Sequence, residues 1–262
     1  MCKTKEKLSE IGKNKESLGG YDMKIVEFNK YKDIIVEFQD KHKSKVHTNY
    51  QAFLKGEVKN PYHPSVCGVG YLGQGKYKVS ENGKHTKVYK YWKNMLNRCY
   101  NPYELNKEPT YINCYVCEEW HNFQTFAKWF YKNYYEIEGE KMCLDKDILV
   151  KNNKIYSPET CMFVPERINS LFIKQSRKRG KYPIGVCWRK DINKFQVKYS
   201  ILDKNNEKKR IHLGYYDTSK EAFLVYKKYK ESYIKQVADE YKDLIPQKLY
   251  EGMYNWIVEI GD

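Results

Sequence analysis

No stretch of the sequence approaches the roughly 18 consecutive apolar residues of a membrane-spanning helix, so it holds no helical membrane anchor. The opening residues, MCKTKEKLSEIGKNKE, lack the apolar core of a secretory signal, and the expected compartment is the cytoplasm. No Gly-Lys-Ser or Gly-Lys-Thr follows the glycines at 68, 70, 73 and 75, and no strand-helix-strand context surrounds them. That excludes a phosphate loop, and GVGYLGQGKY reads as a tight turn with some strand at Val69, Tyr71 and Leu72. Eight cysteines spread along a cytoplasmic chain point to buried thiols or metal ligands rather than disulfides. Negative charge is in short supply, with 33 Asp and Glu against 48 Lys and Arg for a net +15.

What is present suffices for folded cores: 262 residues, 41% hydrophobic, with 26 Tyr and 10 Phe. That length accommodates two domains and a small third. The expected class is α+β. Residues 1–20 read as a flexible basic leader and 21–86 as a small β module, with strands at MKIVEF, DIIVEFQD and KSKVHT and a helical turn at NYQAFLKGEV. Residues 87–174 form a middle domain. Residues 175–262 hold a three-stranded antiparallel sheet with a helix behind it, followed by C-terminal helices.

In that last part Phe195, Val197 and Tyr199 alternate with Gln196, Lys198 and Ser200, and Ile211 and Leu213 alternate with Arg210 and His212. Each run has one apolar and one polar face. Asp203, Lys204, Asn205 and Asn206 supply turn chemistry between them. Thr218 or Ser219 with Glu221 starts a helix whose Ala222, Phe223, Tyr226 and Tyr229 form a stripe to cover the inner face. From Lys174 to Arg210 there are 13 Lys and Arg against 3 Asp and Glu, a net of +10 out of the chain's +15. Charge so concentrated is suited to phosphate neutralisation, which gains affinity through counterion release. The competing interpretation is a solvated lysine-rich surface.

The segment from Tyr182 to Tyr229 resembles the ethylene-response-factor (Apetala-two) type of DNA-binding domain. The resemblance rests on Gly185-Val186, the strand from Lys194 to Tyr199, the turn from Leu213 to Thr218, and the helix start at Glu221, Ala222 and Tyr226. It implies a sheet docked in the major groove of double-stranded DNA. Carried over by position, Arg189, Lys198, Ser200, Arg210 and His212 would face the groove, with Lys194 and Gln196 on the same strand face and Arg177, Lys178 and Arg179 as a basic linker. Cys187 and Ser200 stand where that family usually has arginine, so its base preference does not transfer.

In the middle part Trp92, Met95, Leu96 and Cys99 fall at helical spacing, as do Trp120, Phe123, Ala127 and Phe130 after CEEW. Met142 to Val164 reads as two strands around an Asn-rich turn. The ordered anchors Trp92, Arg98, Cys99, Cys117, Trp120, Leu144, Asp145, Tyr156, Pro158 and Cys161 resemble a phage HNH-like endonuclease family containing a ββα element. That resemblance implies a homing-type, Mg²⁺- or Mn²⁺-dependent nuclease acting in the host cell cytoplasm. Asp145 and Asp147 are the candidate oxygen ligands, with Asn152 or Asn153 to complete or orient the site. The usual histidine is missing: Lys146 follows Asp145, and His121 is the nearest substitute base. A catalytically inactive DNA-binding regulatory or counter-defence protein is the alternative.

Cys114 and Cys117 form C-x₂-C, and with Cys99 and Cys161 they are candidates for a structural Zn²⁺ site. Buried hydrophobic cysteines explain the same residues. The C-terminal tail has near-balanced charge, which suits docking on the chain itself or on a second copy as a homodimer.

Overall fold

A computed structural model of the chain describes residues 9–173, 181–202 and 208–260. The class is mixed α and β, with an antiparallel sheet near the N-terminus and a three-stranded antiparallel sheet plus helix towards the C-terminus. Two compact units divide it: Met1–Lys132 with Ile155–Ser157, and Asn133–Lys154 with Pro158–Asp262. The stretch read as one HNH-like domain is thus shared between them. Among the described residues no helix is long and apolar enough to cross a membrane.

In the first unit, β1 (Asn14–Glu16), β2 (Asp22–Lys30), β3 (Asp33–Phe38) and β4 (Lys45–Thr48) pair antiparallel in sequence order. Alternation turns Met23, Ile25, Ile34, Val36 and Phe38 inward, and Phe53 from α1 (Tyr50–Lys55) joins their core. The strand β1 lies inside the stretch read as a flexible leader and corrects that reading. Its residues are all polar and exposed, so the pairing with β2 is a backbone matter with no apolar periodicity to announce it.

The same unit continues through β5 (Ser80–Glu81), β6 (Lys84–His85), α2 (Lys87–Tyr100), α3 (Pro102–Lys107), β7 (Tyr115–Val116) and α4 (Phe123–Asn133). Thr86 caps α2 by accepting the Tyr89 N–H, and the helix buries Val88, Trp92, Met95, Leu96 and Cys99. Gly70 shows why its glycine-rich segment is a close-packed turn: a Cβ there would lie 2.4 Å from the Leu96 side chain.

In the second unit β8 (Met142–Asp145) precedes β9 (Ile155–Tyr156), which returns to the first unit and pairs in parallel with β7. The partner of β8 is β10 (Met162–Pro165), which leads into α5 (Glu166–Phe172). The C-terminal sheet is β11 (Val186–Arg189), β12 (Lys194–Leu202) and β13 (Lys208–Tyr216), antiparallel in that order. Behind it runs α6 (Ser219–Glu240), and α7 (Gln247–Tyr254) follows after Pro246. A full capping box, Thr218 with Glu221, starts α6. Tyr199 meets Tyr226, Tyr229 and Tyr233 of α6 edge-on at 5.3 to 5.7 Å, and Val186, Val197, Ala222 and Phe223 belong to the same core. Gly185, at φ +75°, lets the chain pass Tyr226 where a Cβ would come within 2.0 Å of the ring.

Candidate nucleic-acid interface

Strand pairing fixes which side chains share the outer face of the C-terminal sheet. Across it Cys187, Gln196 and Tyr215 are in register, as are Arg189 with Lys194, Lys198 with His212, and Ser200 with Arg210. The sheet therefore brings Arg189, Lys194, Gln196, Lys198, Ser200, Arg210 and His212 onto one surface, and none of these outward residues is acidic. Lys198, Ser200, Arg210 and His212 are exposed. Arg177, Lys178 and Arg179, and the turn from Asp203 to Asn206, lie outside the described residues.

Tyr215 is a member of this face that simple alternation misses. The register shifts between Val197 and Lys198, where β13 carries an extra residue ahead of Gly214, whose φ is +118°. Beyond that bulge the phase inverts, and Tyr215 joins His212 outside with ring centroids 4.6 Å apart. The Leu213-Gly214 pair was the available signal, since glycine within a strand marks bulges.

Polar contacts hold the face in place. Arg189 donates from Nε and Nη2 to the two Asp191 carboxylate oxygens at 2.9 and 2.6 Å, and from Nη1 to Gln196 Oε1 at 3.4 Å. Gln196 Nε2 donates to Tyr215 Oη at 3.1 Å and lies 3.3 Å from His212 Nδ1. Only 5% of Gln196 is exposed, although it sits on the outer face, because Arg189, His212 and Tyr215 close over it. Hydrogen bonding between Arg189 and Asp191 is the main cause that raises the guanidinium pKa and lowers that of the carboxyl. Lys194 is paired with Asp217 at 2.9 Å.

The candidate catalytic loop has different chemistry. Asp145 Oδ1 accepts the N–H groups of Asp147 and Ile148, both at 2.8 Å, closing the turn that follows β8. Lys146, 5% exposed, donates from Nζ to Asp147 Oδ2 and to the Asn153 carbonyl, each at 2.8 Å. Asn153 returns a bond from Nδ2 to the Lys146 carbonyl at 2.9 Å. The four residues are brought together, but as partners of one another. Burial pushes the Asp145 carboxyl above the usual carboxylate range, against the two N–H bonds that would hold it down. One Asp145 oxygen is thus committed to the backbone of its own loop.

His121 belongs to the first unit. Its Nε2 is 3.4 Å from Tyr100 Oη, its ring packs edge-on against Tyr100, and burial lowers its pKa. Cys99, Cys114 and Cys117 lie in that unit and Cys161 in the second. Cys99, Cys114 and Cys161 are buried, and the Cys114 thiol faces the Thr110 carbonyl at 3.9 Å. Among the described residues no group of three or more His, Cys, Asp or Glu side chains is arranged to hold a metal ion.

Comparison with protein families, curated proteins and solved structures finds no match for the chain.

Proposed function

We propose that this chain is a phage-type double-stranded DNA-binding protein that docks its C-terminal sheet in the major groove and acts without cleaving the duplex. One observation carries the reading: Arg189, Lys198, Arg210 and His212 share a face without an acidic neighbour in register. A twisted antiparallel sheet of this width suits the major groove, where cations meet phosphates and polar side chains meet base edges. The position-by-position resemblance to the ethylene-response-factor type points the same way. The HNH-like segment then serves as a scaffold, consistent with a catalytic loop that satisfies its own hydrogen bonds.

Metal-dependent cleavage with Mg²⁺ or Mn²⁺ is the second reading. The ordered HNH-like anchors favour it, together with an Asp147 side chain that stays 43% exposed on the loop. Incubation with supercoiled plasmid and with genomic DNA, with either metal or with chelator, separates the two. Retention of DNA without nicking in any condition supports the proposal. Nicking that requires metal and disappears in Asp145→Ala and Asp147→Ala would establish the nuclease instead.

A further inference from the structure

Arg189 is held more firmly than an exposed cation on a strand end needs to be. A guanidinium carries five N–H donors. Nε and Nη2 each give one to Asp191, and Nη1 gives one to Gln196. One hydrogen therefore remains on Nη1 and one on Nη2; with Gln196 on the Nη1 hydrogen beside Cδ, these two are parallel and match two acceptors side by side. On the major-groove edges of the four bases only guanine presents two acceptors, O6 and N7.

The two supports of the guanidinium differ, Asp191 being exposed and Gln196 buried. Asp191 stands on the turn that joins β11 to β12, where Asn193 takes a left-handed φ of +51°. Gln196 is buried, and its amide nitrogen is engaged by Tyr215 and His212. Turning that amide over would set its N–H₂ against the guanidinium, donor against donor. The Tyr215 hydroxyl, which donates or accepts, serves either orientation, so the Arg189 contact selects the one observed.

We infer that Asp191 and Gln196 are positioning residues that aim the Arg189 fork at a guanine, so that the face reads at least one G·C pair. The inference rests on the DNA-binding reading above. Charge alone argues the opposite sign for Asp191. A carboxylate beside a phosphate-binding surface weakens attraction to every sequence, so its removal should tighten binding uniformly. Positioning predicts a loss of base preference instead.

The test is selection by the full-length chain from a library of randomised duplexes, for the native sequence and for Asp191→Ala, Asp191→Asn, Gln196→Leu and Arg189→Lys. Melting curves check that each variant is folded. The expected result is a guanine enriched by the native chain whose replacement by 7-deazaguanine, which lacks the N7 acceptor, weakens binding. Both Asp191 variants should lose preference at that position about tenfold or more while still holding bulk duplex, and Arg189→Lys should lose the same preference. An unchanged guanine preference in the Asp191 variants overturns the positioning role. A native chain that retains duplex with no base preference also overturns it, placing Arg189 on phosphate. A native chain that retains no duplex at all removes the DNA-binding reading, and this inference with it.

Discussion

At the scale of single residues, Asp145 is a carboxylate tied to the backbone of its own loop. Its folded-state pKa is raised by burial, so the protonated form favours folding. The associated stability is fully present below the unfolded value and is lost as pH rises through the folded one. Asp145→Asn keeps an oxygen for the Asp147 and Ile148 N–H groups and never ionises. It should melt at or above the native temperature at neutral pH, with the difference vanishing in acid. Asp145→Ala abandons both N–H groups and should cost about 1–3 kcal/mol by denaturant titration. A large neutral-pH loss in Asp145→Asn would show that the charge itself is needed. Gly185→Ala combines a left-handed φ of +75° with a Cβ 2.0 Å from Tyr226, and should cost at least roughly 3 kcal/mol. Much of this scale was legible in sequence. The outward set from Arg189 to His212 follows from alternation and resemblance. The burial of Gln196 was not legible, because a glutamine in an outward position reads as solvated until the residues that cover it are known.

At the scale of elements, α6 owes its start to a sequence-readable capping box. Thr218→Ala should cost about 1 kcal/mol in thermal or urea unfolding, whereas Thr218→Ser should be nearly silent. A harder feature to foresee is the ion pair from Arg167 on α5 to Glu240 at the end of α6, at 2.8 Å with the arginine 9% exposed. Glu240→Ala removes the charged partner of a buried guanidinium, leaving it Tyr233 and Tyr241, and should cost about 3 kcal/mol, while the apolar pair Arg167→Met with Glu240→Leu should recover most of that loss. Equilibrium unfolding of the single and double variants checks both statements. The strand β1 and the two-residue parallel pairing of β7 with β9 escaped the sequence because neither has apolar periodicity. The bulge before Gly214 hid Tyr215 for a related reason: one inserted residue inverts the face of everything after it.

At the scale of the whole molecule, charge is unevenly distributed, with a net +10 of the chain's +15 between Lys174 and Arg210. The central claim is that the outer face of the C-terminal sheet holds duplex DNA. Its most direct test is the affinity of the full chain for duplex DNA across a salt series, beside Lys198→Ala, Arg210→Ala and their combination. The account predicts an affinity that falls steeply with salt, a weaker complex for each variant, and a salt slope reduced by about one per lost phosphate contact. Binding that ignores both substitutions at every salt concentration would contradict it.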